Sequence, residues 1–213
     1  MIAKADTPHE VPHFVLHGVS WSYYERTLEE LNEQHVRVTY LDGMMELMSP
    51  LPEHEGIKKA IADLIAALAM GRKIRRKSFG STTFRREDRA AGSEPEECFY
   101  FGEIDSVRGM KRFDPLVHRA PDLWIEVDLF SGSVPREPIY ARLGVPEVWR
   151  YNAAGRLVVR LLTAEGNYAD SEVSKVLPFL PMGEFAKFIP RMIEGDESAI
   201  MSEMVDWARQ LDS

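Results

Sequence analysis

Apolar positions along this chain recur with two periods, and the switches between them fall at proline, glycine and Asp-Gly positions. Trp21, Tyr24, Leu28 and Leu31 follow helical spacing behind Ser20 or Ser22, and Ser22-x-x-Glu25 fits a capping box, so a helix is expected to about Gln34. Residues 36–41 and 44–49 flank Asp42-Gly43, the strongest short signal for a β-hairpin. From His54 to Met70, Ile57, Ile61, Leu64, Ile65 and Leu68 form the stripe of an amphipathic helix that packs on a sheet. Ser78–Phe84 is expected as a strand, and another begins at Cys98 behind Glu94, Glu96 and Glu97. Residues 103–120 are polar and irregular, a loop to which no chemistry is assigned. Pro121-Asp-Leu-Trp-Ile-Glu-Val-Asp128 is the expected central strand. Ser131-Gly132-Ser133 makes a turn, and Pro135 suits the start of a helix with Ile139, Tyr140 and Leu143 that Gly144 ends. Val148–Tyr151 follows as a strand, parallel to 121–128 through a right-handed crossover. Residues 156–162 and 168–176 alternate as an antiparallel pair, and 182–193 and 196–212 close the chain as helices. The pattern is α+β: a mixed central sheet flanked by helices, with an N-terminal β-hairpin. It is expected as one domain over 1–213, with an extended arm at 1–18, where Pro8 and Pro12 oppose a helix, and closing helices at 182–213.

Composition narrows the class. With 45% hydrophobic and 28% charged residues, 213 residues suffice for one well-packed domain and argue against disorder. The net charge of −8 means that no field-wide attraction draws the chain to nucleic acid, so any phosphate-binding surface must be local. A single cysteine, Cys98, excludes an intramolecular disulfide and a cysteine-based zinc site. No signal-like start and no apolar run near 18 residues are visible, and the expected setting is the cytoplasm, away from membranes.

The candidate chemistry lies in the central strand. Side chains alternate along a strand, so Asp122, Glu126 and Asp128 share a face with Trp124, opposite Leu123, Ile125 and Val127. Three like charges on one face call for a bound cation; the bland alternative is an edge strand whose charges are solvated. Arg75, Arg76 and Lys77 end the amphipathic helix in a basic run, either a solvated helix end or a contact to a phosphate backbone. Trp124, Trp149 and Tyr140 are expected mainly as packing, and Cys98 as a small buried apolar residue.

Pro121–Val127, Pro138-Ile-Tyr-Ala-Arg-Leu-Gly-Val-Pro-Glu-Val-Trp-Arg-Tyr-Asn152 and Glu94-Pro-Glu-Glu-Cys-Phe-Tyr100, with Met48-Ser-Pro-Leu-Pro-Glu-His54 before them, resemble the Uma-two family of restriction-endonuclease-like proteins in the PD-(D/E)XK nuclease superfamily. The resemblance covers about residues 15–190. It implies a restriction-endonuclease-like core and a magnesium or manganese ion held by Glu96, Glu126 and Asp122. Glu96 stands where relatives have the Asp of a Pro-Asp pair, Glu126 matches the strand glutamate, and His54 and Glu46 match positions near the site. The superfamily places a lysine two residues after the glutamate, where this chain has Asp128; relatives also carry one on the following helix, where this chain has Arg136. No lysine occurs between 112 and 174. Arginine can stabilise a pentacovalent phosphate but cannot act as a base.

Three readings follow. The first is a magnesium-dependent endonuclease acting on DNA, with Glu126, Asp122, Arg136 and His54 as catalytic residues and Arg75, Arg76 and Lys77 on the nucleic acid. The second is a nuclease-like fold that binds nucleic acid or a protein without cutting. The third is a hydrolase of small phosphoesters. A homodimer is expected by analogy with nucleases that cut both strands.

Overall fold

The computed structural model describes residues 13–31, 34–49, 52–129 and 134–211. Arm residues 1–12 and the predicted turn at 131–133 lie outside that set. The described chain runs β1 (His13–Leu16), α1 (Trp21–Glu30), β2 (Arg37–Leu41), β3 (Met44–Met48), α2 (Pro52–Arg72), β4 (Arg76–Ser78), β5 (Phe84–Arg86), β6 (Ala91–Ser93) and β7 (Glu97–Phe101). It continues through β8 (Leu123–Asp128), α3 (Glu137–Leu143), β9 (Glu147–Asn152), β10 (Leu157–Leu162), β11 (Tyr168–Ser171), α4 (Met182–Glu194) and α5 (Glu197–Gln210). The architecture is α+β with two sheets. One has the order β1-β3-β2-β6-β5 and the other β11-β10-β9-β8-β7-β4, in which β8 and β9 alone are parallel among the described strands.

Local chemistry accounts for the best-predicted elements. Ser20 rather than Ser22 caps α1, its hydroxyl accepting from the Tyr23 N–H at 3.2 Å. Asp42 and Gly43 both adopt positive φ, 48° and 82°, as a two-residue hairpin turn between β2 and β3 requires. Gly144, at φ 82°, ends α3 in the left-handed conformation.

Three apolar clusters tie the layers together. α1 packs Tyr24 on Val38, Tyr40 and Met45 of the first sheet. α2, α4 and α5 cover one face of the second sheet, where Leu64, Ile65, Leu123, Ile125, Trp149 and Phe185 are fully buried. Each such side chain contributes roughly 1.5–3 kcal/mol by leaving water. The other face meets α3 and the first sheet through Trp124, Cys98, Val148, Phe84 and Tyr140.

One expectation changes, and one alternative falls away. Ser78–Phe84 is not one strand: β4 and β5 belong to different sheets, and the chain breaks between them at Gly80, with φ 60°. β8 is not an edge strand with one wet face. It lies between β7 and β9 and is buried on both faces, so its carboxylates are not simply solvated.

Candidate active site

The space between the two sheets opens at the C-terminal end of β8 into a cavity of about 820 Å³. β8 supplies Glu126 and Asp128 to its wall. Glu96, immediately before β7, donates its N–H to the Ile125 carbonyl at 3.1 Å, which sets it across from Glu126 in the antiparallel register. The first sheet brings Arg37, Thr39 and Glu46 on β2 and β3, where Thr39 and Glu46 are register partners. His54 enters from the first turn of α2, Arg136 from the residue before α3, and Arg150 from β9 opposite Glu126.

Most charges in the cavity are paired. Arg37 donates through both terminal nitrogens to Glu96, and its Nη2 also lies 3.5 Å from Glu55. Arg136 donates to Glu46 at 2.6 Å and to the Thr39 hydroxyl. Arg150 donates to Asp128 at 2.6 Å and to Glu137 at 3.4 Å. The His54 Nδ1 stands 3.9 Å from Glu96, and burial pushes the imidazole pKa down against the opposing charge of Glu96.

Glu126 differs. Among the described residues it accepts from the Trp124 indole N–H rather than from an arginine, and the Tyr140 side chain stands beside it. Burial pushes its pKa up to about 7; Arg136 works against that rise, while the charges of Asp128 and Glu96 add to it. Burial, with Glu126 beside it, holds the Tyr140 hydroxyl well above the usual phenol range, so it remains a donor.

The remaining expected residues fall elsewhere. Asp122 precedes β8, accepts from the Phe101 N–H at 2.7 Å and pairs with Arg119; it does not line the cavity. Arg75 pairs with Asp105 at 2.9 Å, while Arg76 and Lys77 lie over the Phe99 and Phe79 rings. They sit beyond the far end of α2 from His54, and a 21-residue helix spans about 30 Å.

A divalent cation suits this cavity by charge and donor type. Six carboxylates, Glu46, Glu94, Glu96, Glu126, Asp128 and Glu137, face three arginines, which leaves a surplus of hard anionic oxygens. Geometry sets a condition. Among the described residues no three potential ligands stand together as a metal site; Arg37 holds Glu96 and Arg150 holds Asp128.

The profile of the Uma2 family, described as "Putative restriction endonuclease", matches residues 21–187. The chain belongs to the Uma2 family. The matched range contains every charged cavity residue named above, from Arg37 to Arg150. A solved structure titled a putative nuclease of the DUF820 family, from Anabaena variabilis, is similar at 14% identity and a TM-score of 0.45, over 80% of this chain and 90% of that one. No curated protein matches the chain.

Relative to the Uma2 resemblance read from the motifs, the structure adds Arg37, Arg150, Trp124 and Tyr140 to the site. The alternation of Val36-Arg-Val-Thr-Tyr and Val148-Trp-Arg-Tyr held a partial signal for the arginines, since a charge inside a strand pattern must face something. The Trp124 contact could be read as an i, i+2 pair on one strand face once the strand itself was assigned.

Proposed function

We propose that this Uma2-family chain is a divalent-metal-dependent endonuclease that hydrolyses DNA phosphodiester bonds. The observation that carries the reading is Glu126: a carboxylate held by the buried Trp124 indole N–H, with Tyr140 beside it, crowded by Glu96 and Asp128, and facing an open cavity. Glu96 and Glu126 would hold the ion, with Asp128 beside them, and restriction-endonuclease-like folds use such an ion to lower the pKa of the attacking water and neutralise a phosphate oxygen. Trp124 and Tyr140 fix the orientation of Glu126. Arg136 and Arg150 keep their charge at any working pH and supply the positive field for the pentacovalent phosphate in place of the missing lysine. Arg37, which donates to both oxygens of Glu96, would share that carboxylate with the ion. Asp122 serves the geometry of β8, through Phe101 and Arg119.

Cleavage of plasmid DNA in magnesium or manganese tests this, with Glu126→Gln and Glu96→Gln as controls. Turnover by the wild type and its loss in both variants is the expected result. Wild-type inactivity in both metals, with the protein folded, sinks the proposal. One observation favours a second reading, that of a module that binds DNA without cutting it: three arginines already satisfy three of the carboxylates. That reading predicts no metal-induced rise in thermal stability.

A further inference from the structure

Glu94 lines the active-site cavity and also a neighbouring hollow of about 440 Å³, whose wall carries Arg85, Lys111 and Arg112. The same three cations line a further hollow of about 710 Å³ with Phe113 and His118. The first two hollows share Glu94 and the second and third share the three cations, so a cluster of cations lies beside the carboxylate cavity.

Two of those three cations have no carboxylate partner among the described residues. Arg75, Arg86, Arg108 and Arg142 each have a carboxylate within ion-pairing distance. Lys111 and Arg112 are exposed and form no ion pair among the described residues, while Arg85 lies 3.7 Å from Glu25. On a chain of net charge −8, cations left unpaired beside a carboxylate site are suited to a polyanion that must be attracted locally.

Phe113 seats the segment that carries Lys111 and Arg112. Phe113 is buried against Phe84, with ring centroids 4.7 Å apart; Phe84 lies 5.3 Å from Trp124, whose indole donates to Glu126. Its position is therefore tied to the active site through three aromatic side chains. Asp114 closes the following turn: its carboxylate accepts from the Leu116 N–H at 2.9 Å and its carbonyl from the His118 N–H at 2.8 Å. The turn holds Leu116 and Val117 outward, 93% and 72% exposed. An exposed apolar tip on a hydrogen-bonded turn beside cations is the arrangement of a wedge that enters a base step.

We propose that residues 108–118 form the DNA-docking loop: Lys111 and Arg112, with Arg85 of β5 beside them, hold backbone phosphates next to the active-site cavity, and the Leu116–Val117 tip enters an adjacent base step. This rests on the nuclease reading above and names the surface by which its substrate is held.

The test is fluorescence anisotropy of a labelled duplex with the full chain in EDTA, where no cleavage occurs, across a salt series. The double variant Lys111→Glu/Arg112→Glu is expected to weaken binding more than tenfold and to lower the slope of log K against log salt by about 2. Leu116→Ser/Val117→Ser is expected to weaken duplex binding roughly three- to tenfold with the slope unchanged, since it removes no charge. All four positions are exposed, and an unaltered melting temperature confirms folding. If both variants bind as the wild type while Arg75→Ala/Arg76→Ala/Lys77→Ala weakens binding, the loop assignment is overturned and the nuclease reading stands. Loop-dependent binding without cleavage in magnesium or manganese overturns the nuclease reading and keeps the loop. A wild type that binds no DNA at low salt overturns both. If the tip variant alters only self-association in sedimentation, the tip belongs to a contact between copies and that half of the proposal fails.

Discussion

Glu126 and Glu147 are two glutamates on neighbouring parallel strands, each accepting from a tryptophan indole two residues away on its own strand. Glu147 is fully buried and also accepts from the Ser174 hydroxyl at 2.6 Å and from the Lys175 and Val176 N–H groups at 2.7 and 3.0 Å. Its negative charge is spread over hydrogen bonds that pin the segment after β11 to the sheet. Glu126 receives no comparable backbone support among the described residues, stands beside two further carboxylates and opens onto a cavity. One carboxylate is saturated and structural; the other has unused capacity to accept. Burial alone does not separate them, and the donors around each do.

Breaking Glu147 should have the largest effect. Glu147→Ala strands a hydroxyl, an indole N–H and two backbone N–H groups, and is expected to cost about 3–5 kcal/mol in urea denaturation, with no change in metal response. A loss under 1 kcal/mol would show that water replaces the carboxylate and that the contrast is weaker than drawn.

Metal comes next. Magnesium or manganese at a hundredfold excess over its Kd should stabilise the wild type by about 2.7 kcal/mol, and Glu126→Gln by much less, as read by thermal melting.

Glu126→Gln without metal sharpens the comparison further. The Glu126 pKa is raised from its ordinary 4.5 to about 7, so the fold favours the neutral acid. Its contribution is fully present below about 4.5 and is lost as pH rises to about 7 and beyond. The amide cannot ionise, so the variant should match the wild type at pH 5 and exceed it at pH 8 by about 2 kcal/mol, after discounting for the open cavity. A pH-independent difference between the two proteins would refute the raised pKa.

The smallest effect should come from Arg75→Ala, whose exposed pair with Asp105 is worth under about 0.5 kcal/mol.

The hairpin at Asp42-Gly43, α2, the closing helices and the parallel β8–β9 pair were legible because each is written in local chemistry or in a period within one segment. Glu96 and Glu126 were legible for a different reason, the motif resemblance. The split of 78–84 between two sheets was not, since three-residue strands carry almost no periodicity and their partners lie far along the chain. Arg37 and Arg150 escaped notice because their meaning depends on which strand lies opposite, a property of register. The contiguous run Arg75–Lys77 attracted attention as charge density, while Lys111 and Arg112 sat in a loop whose irregular pattern conceals how firmly Phe113 anchors it.

Cys98 is the chain's single cysteine, has no exposed surface, and its thiol is pushed far above the usual range by burial and the neighbouring Glu97. The natural protein is therefore already a silent background for thiol chemistry. A cysteine placed at Leu116 would take a spin or fluorescent label selectively, with no native site to remove first, and would turn the loop into a reporter of its own encounters.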